Sequence, residues 1–118
     1  MLTPAPIKPA VPLSVIESLD IRVGTIQRVD DVAGSRKLLR LTVSFGDHTR
    51  RILSGMKQER SHPQELIGRQ ALFVVNLAPK EMAGELSEGM VLDVGYADGL
   101  VPVLAVPETA VPEGTRAG

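Results

Sequence analysis

Leu39, Leu41, Val43 and Phe45 alternate with Arg40, Thr42 and Ser44. That period of two predicts a strand with one buried face. Gly46-Asp47, with His48 beside them, marks a turn, and 51–53 returns as the partner strand. Upstream, 20–29 sets Ile21, Val23 and Ile26 among polar neighbours, and the alternation slips just after Gly24. A glycine at such a slip predicts a bulge or tight bend, as a curved barrel strand needs. Arg69 to Leu77 is an apolar run between Gly68 and Pro79, which predicts a buried strand. Segments 90–96 and 100–106 complete the set, joined by a turn at Asp98-Gly99, and Pro102 makes the last strand an edge or bulged one. Pro63-Gln64-Glu65-Leu66 predicts a short helix with proline in its first turn.

Five or six short strands with one short helix among them indicate an all-β sandwich or barrel. A helix between the third and fourth strands fits a five-stranded OB-type Greek-key barrel with short flanking elements. Pattern alone leaves an SH3-like barrel open. Pro4, Pro6, Pro9 and Pro12 keep the first twelve residues out of helix and central strand. They predict a stiff, extended arm. Pro12 to Leu19 suits one helical turn, with Ser14 as N-cap and Glu17 three residues on. The chain thus divides into an arm, 1–13, and a barrel domain, 14–118.

Composition narrows the chemistry. The 118 residues suit one domain, and 43% hydrophobic with 23% charged residues is a globular balance. There is no cysteine, which removes disulfides, thiolate metal sites and cysteine nucleophiles. The proline-rich start has no apolar stretch of a secretory signal, and no run approaches a membrane span. The expectation is a cytoplasmic protein without membrane contact. The net charge of −1 hides an asymmetry. Arg22 to Lys80 is net +6 and Glu81 to Gly118 is net −6, which predicts a dipolar surface if the sequence halves are also spatial halves.

No catalytic constellation emerges. His48 and His62 lack partners at metal-ligand spacing, and no glycine-rich phosphate loop joins a strand to a helix. No cofactor, metal or small-molecule substrate is expected. Glu81, Glu85 and Glu88 read as a solvated acidic loop. Phe45 and Phe73 fall on buried faces, leaving Tyr96 as the one aromatic expected in solvent. Stacking on single strands is therefore disfavoured. Recognition of a folded RNA through its phosphates and shape stays open, with Lys37, Arg40, Arg50, Arg51, Lys57, Arg69 and Lys80 as possible contacts. Residues 75–90 (VNLAPKEMAGELSEGM) form the longest irregular stretch and read as a recognition loop.

Several motifs occur together and in order. Asp20 to Ile26 (DIRVGTI) resembles a D-x-R-V-G-x-I opening, and Gly34-Ser35-Arg36-Lys37-Leu38 a turn that ends in Lys-Leu. Ser54-Gly55-Met56, Pro63 to Arg69 (PQELIGR), Asn76 to Lys80 (NLAPK), Ser87 to Met90 (SEGM) and Pro112 to Thr115 (PEGT) follow. Together they resemble the tRNA-binding domain found at the C-terminus of bacterial methionyl-tRNA synthetases and as stand-alone tRNA-binding proteins. Export-associated chaperones form a related branch. The resemblance implies an OB barrel that dimerises with itself through its flanking elements. It implies binding of tRNA by shape, no chemistry of its own, and assistance to an aminoacyl-tRNA synthetase. Carried over by position, Asn76, Lys80, Ser87 and Met90 are the RNA-side residues, with Lys37 and Arg69 in support. Arg36 stands where the family usually has an acid, and Glu81 and Ala83 stand where it commonly has basic residues. The latter two imply weaker tRNA affinity. The alternative reading is a chaperone that binds unfolded polypeptides.

Overall fold

The computed structural model describes residues 2–118. Along the chain run α1 (Leu13–Glu17), β1 (Ile21–Asp31), β2 (Leu39–Ser44), β3 (Thr49–Ser54), a single 3-10 turn at Pro63–Leu66, and β4 (Gln70–Val74). Then follow β5 (Lys80–Met82), β6 (Glu85–Ser87), β7 (Met90–Val91), β8 (Asp93–Val94), β9 (Val103–Leu104) and β10 (Arg116–Ala117). The main sheet is antiparallel in the order β3-β2-β1-β4-β7, with β10 beside β1. It is an all-β, OB-like barrel with very little helix, and the helical turn lies between the third and fourth strands.

The alternation in β2 sends Leu39, Leu41 and Val43 inward, where they meet Ile26, Ile52, Ala71, Phe73 and Phe45. Phe45 and Phe73 pack edge to face, 5.7 Å between centroids. Gly24 faces this core. A Cβ there would lie 2.5 Å from Val43 Cγ1 and 2.8 Å from the Phe45 ring, so only glycine fits against both. The bulge expected at Gly24 occurs later, where β1 and β2 shift register between Ile26 and Arg28. The slip in alternation marked a bulge, but the glycine beside it serves close packing.

β3 has no regular ladder on its outer edge. Two side chains and one isolated backbone bond seal it instead. The Arg51 amide donates to Glu88 Oε1 at 2.9 Å, the Glu88 amide donates to the Arg51 carbonyl at 2.8 Å, and the Leu53 amide donates to Ser87 Oγ at 3.0 Å. This nearly closes the barrel and removes an edge that would otherwise pair with other chains.

Three further expectations are corrected. Ser14 does not cap α1. Pro12, with extended backbone, occupies the cap position, and Ser18 Oγ donates to the Val15 carbonyl. Residues 75–90 are not simply irregular, because β5 and β6 form a hairpin within them. Segments 90–96 and 100–106 are not two continuous strands. β7 belongs to the barrel, while β8 and β9 make a separate small ladder. Residues 2–12 are exposed and free of regular structure; Met1, the first residue of the expected arm, lies outside the described residues.

Candidate nucleic-acid interface

Three parts make up the candidate interface, the outer face of β2 and β3 and the two loops beside it. The first is the loop 32–38 between β1 and β2. Ser35 Oγ accepts from the amides of Lys37 and Leu38, at 3.3 and 3.1 Å, and the Lys57 amide donates to the Lys37 carbonyl. This fixes the backbone while the Arg36 and Lys37 side chains stand in solvent. The second is the face itself. The third is the segment 75–89 between β4 and β7, with its β5–β6 hairpin. Its turn places Ala83 at φ 49° and Gly84 at φ 81°. Both values lie in the left-handed region that tight hairpin turns demand, and the position is costlier for alanine than for glycine.

Hairpin register decides which residues share a side. Lys80 pairs with Ser87 and Met82 with Glu85, while Glu81 pairs with Leu86 on the opposite face. Lys80, Ser87 and Met90 line one groove of about 570 Å³, together with Leu77, Met82 and Gly89. Glu81 does not line it, so the acid that follows Lys80 in sequence is turned away from the lysine's groove. A second hollow, of about 580 Å³, holds Lys37 and adjoins the first across Ser54, Gly55 and Asp93. Arg69 lies farther off, in a smaller hollow with Glu59, Arg60, His62 and Glu65.

Two of the expected site residues are spent on the framework. Ser87 is buried, its hydroxyl accepting from Leu53 and donating to the Gly89 carbonyl at 2.9 Å. Asn76 stands apart from both grooves. Its Oδ1 accepts from the Asp20 amide and its Nδ2 donates to the Ser18 carbonyl, each at 2.8 Å. Met90 is about half exposed and lines the groove.

Charge pairing sorts the basic residues. Arg22, Arg28, Arg40, Arg51, Lys57 and Arg116 each lie within 4 Å of a carboxylate. Among the described residues, Lys37, Arg69 and Lys80 have no such partner. Glu85 takes two hydrogen bonds from Arg40 Nη1, both 2.9 Å, and lies 3.8 Å from Arg51. Of the three glutamates of this segment, Glu85 and Glu88 are therefore bonded to the framework, while the exposed Glu81 fits the solvated acidic loop expected from the sequence. Glu85, half-buried, pins the hairpin to β2, and Glu88, itself exposed, seals β3. Their partners Arg40 and Arg51 lie on the outer face. For Arg40, the alternation of 39–45 in the sequence was the signal for that placement.

Just before β1, Asp20 accepts from Arg22 at 3.0 and 3.1 Å and from Arg116 at 3.3 and 3.5 Å, tying β10 to the barrel. The bond from Arg22, aided by Arg116 and opposed by partial burial, lowers the Asp20 pKa below its ordinary value. Asp47 is lowered too, first by its hydrogen bond with His48.

Residues 21–116 match the family model described as "Putative tRNA binding domain". The chain belongs to the tRNA-binding domain family. It is 41% identical over 102 residues to a methionine–tRNA ligase of Phocaeicola vulgatus, a match that covers 86% of this chain and 15% of the ligase. The chain thus spans about one seventh of the length of the curated relatives it matches. Among solved structures, the MetRS-related protein of Pyrococcus horikoshii superposes with a TM-score of 0.86 at 28% identity, covering 94% of this chain and all of that one. The chaperone CsaA of Bacillus anthracis superposes with a TM-score of 0.81 at 30% identity, covering 93% of this chain and all of that one. Among the described residues of this tRNA-binding-family chain, no helix is long and apolar enough to cross a membrane.

Proposed function

We propose that the chain is a non-catalytic module that binds tRNA by shape, works as a homodimer and assists aminoacylation by strengthening a synthetase's hold on its tRNA. One observation carries the reading. Lys37 and Lys80, free of carboxylates, stand on the two loops beside the outer face of β2 and β3, in a chain of the tRNA-binding family. OB barrels take nucleic acid on that face and on those loops. Lys37, Lys80 and Met90 face the RNA, Arg69 supports from the far hollow, and Asn76 and Ser87 hold the segment that presents them. The barrel unit is 14–118 and the arm 1–13 is a tether. The exposed apolar side chains of Val15 and Ile16 on α1, and of Leu100, Val101 and Val103 around β9, supply the surface for a second copy. Sedimentation as a 12.6 kDa monomer at micromolar concentration would overturn the dimer. Both tRNA and synthetase place the activity in the cytoplasm.

A second reading rests on the groove wall of Leu77, Met82 and Met90 and on the likeness to CsaA. It makes the chain a chaperone of unfolded polypeptides connected with export. The deciding experiment titrates the protein with bulk tRNA across a salt series, with single-stranded and duplex RNA of similar length as competitors. Binding at micromolar affinity or tighter, weakened by salt and competed best by tRNA, supports the first reading. No binding at low salt overturns it, and suppression of client aggregation would then establish the second.

A further inference from the structure

Arg50 is a cation of β3 that among the described residues has no carboxylate partner, yet it is not free for RNA. Its Nη1 donates to the Val75 carbonyl at 2.6 Å and to the Glu88 carbonyl at 3.1 Å. Those two carbonyls are the roots of the segment that carries Lys80. Val75 directly follows β4 and Glu88 stands two residues before β7. One guanidinium therefore closes the base of the whole 76–87 excursion. Its third donor, Nε, donates to His48 Nε2 at 3.1 Å. His48 Nδ1 in turn lies 2.6 Å from Asp47 Oδ1, and the imidazole stacks on Phe45 at 5.5 Å.

An arginine Nε–H only donates, so His48 Nε2 must offer a lone pair. The partners thus assign the ring proton to Nδ1, where it is given to Asp47. A proton added at Nε2 would set two N–H groups against each other while leaving the bond to Asp47 intact. The charged groups around the ring are few. Asp47 and Arg50 touch it. Arg22 on β1 acts on Asp47 through its field, and Glu113 belongs to the turn whose backbone packs on Gly46. The Glu88 carboxylate is engaged by the Arg51 amide.

We propose that Arg50 is the positioning residue of the Lys80-bearing arm, and that neutral His48, held by Asp47, orients it, so that protonation of His48 releases the arm. The tRNA consequence rests on the function proposed above; the latch itself does not. The test therefore has two arms. In the first, without RNA, backbone amide resonances of residues 76–89 are followed by NMR from pH 8 to pH 5.5, in wild type and in His48→Gln. Glutamine keeps an acceptor for Arg50 but does not titrate. The amides are expected to move with the His48 titration in wild type and to stay fixed in the variant. In the second, tRNA affinity is measured over the same range. Wild type is expected to lose at least threefold relative to His48→Gln towards pH 5.5. Arg50→Met is expected to lose affinity at every pH, and Arg50→Lys to recover part of it. Arm amides that ignore the His48 titration, or identical pH profiles for wild type and His48→Gln, would overturn the proposal. If no variant binds tRNA, the RNA reading fails and the NMR arm still decides the latch. Should Arg50→Met fail to fold, Arg50→Lys and His48→Gln carry the test.

Discussion

Asn76 is joined to Asp20 across 56 residues of sequence, its Oδ1 accepting the Asp20 amide at 2.8 Å. Its Nδ2 also donates to the Ser18 carbonyl, so one side chain fastens the link between α1 and β1 to the end of β4. Asn76→Ala leaves two backbone groups to find water. Because both are near solvent, the expected cost is about 1 kcal/mol, towards the middle of the range for a net hydrogen bond. A thermal melt is expected to show a lower midpoint, while tRNA affinity of the folded protein stays within twofold. A large affinity loss at unchanged stability would instead make Asn76 an RNA contact.

How much of this was legible beforehand follows from the range of the interactions. The β2 alternation from Leu39 to Val43, the buried Phe45 and Phe73, the exposed Tyr96 and the short helical turn at Pro63 are local consequences of pattern, and the structure has them; Ser44, expected on the polar face, is buried. The β5–β6 hairpin was not legible, because β5 and β6 are only three residues each and their turn uses Ala83 where Asn or Gly would announce it. Nor were the roles of Ser87, Glu85 and Arg50. Each depends on a partner from 25 to 45 residues away, and a polar residue in a loop looks the same in sequence whether it meets a ligand or its own backbone.

Among the described residues Lys80 has no carboxylate within 4 Å, and it lines the groove without a bond that holds the fold together. Lys80→Glu is therefore expected to leave the melting curve unchanged and to weaken binding of different tRNAs alike. A lost phosphate contact should also flatten the dependence of log affinity on log salt by about 1. Mobility-shift titrations at several salt concentrations check both. An unchanged affinity at low salt would remove Lys80 from the interface.

Asp20 gives the fold an acid-sensitive joint. Its pKa is lowered on folding, chiefly by Arg22, so the unfolded chain binds the proton more readily. Its contribution to stability is present above the ordinary value of 3.8 and is lost as pH falls through the lower folded value. Asp20→Asn is expected to melt below wild type at pH 7, with the difference closing as pH falls below 3.8 and through the lower folded value, where wild type takes up the proton too. Thermal melts of both proteins across that range test it. A difference independent of pH would mean that packing rather than charge is at stake.

Glu85 makes the opposite case to Lys80, because here an acid masks the face proposed to meet RNA. It accepts two 2.9 Å bonds from Arg40 and faces Arg51 at 3.8 Å, so two cations of the β2–β3 face are partly neutralised from within the chain. Glu85→Gln removes the charge but keeps an amide oxygen for Arg40. Two effects then compete. The hairpin is held less firmly, which weakens any contact Lys80 makes, and the face gains one positive charge. Net hydrogen bonds to a charged partner are worth about 1.5–3 kcal/mol, and glutamine retains part of that. The gained charge acts on every nearby phosphate and steepens the salt dependence by up to about 1. The expected balance is a several-fold tighter tRNA complex at low salt, a steeper salt slope and a slightly lower melting point. Combining Glu85→Gln with Lys80→Glu should bring the slope back near wild type if both residues border one RNA path. A Glu85→Gln protein whose melt shifts while affinity and slope do not would place the RNA away from β2 and β3.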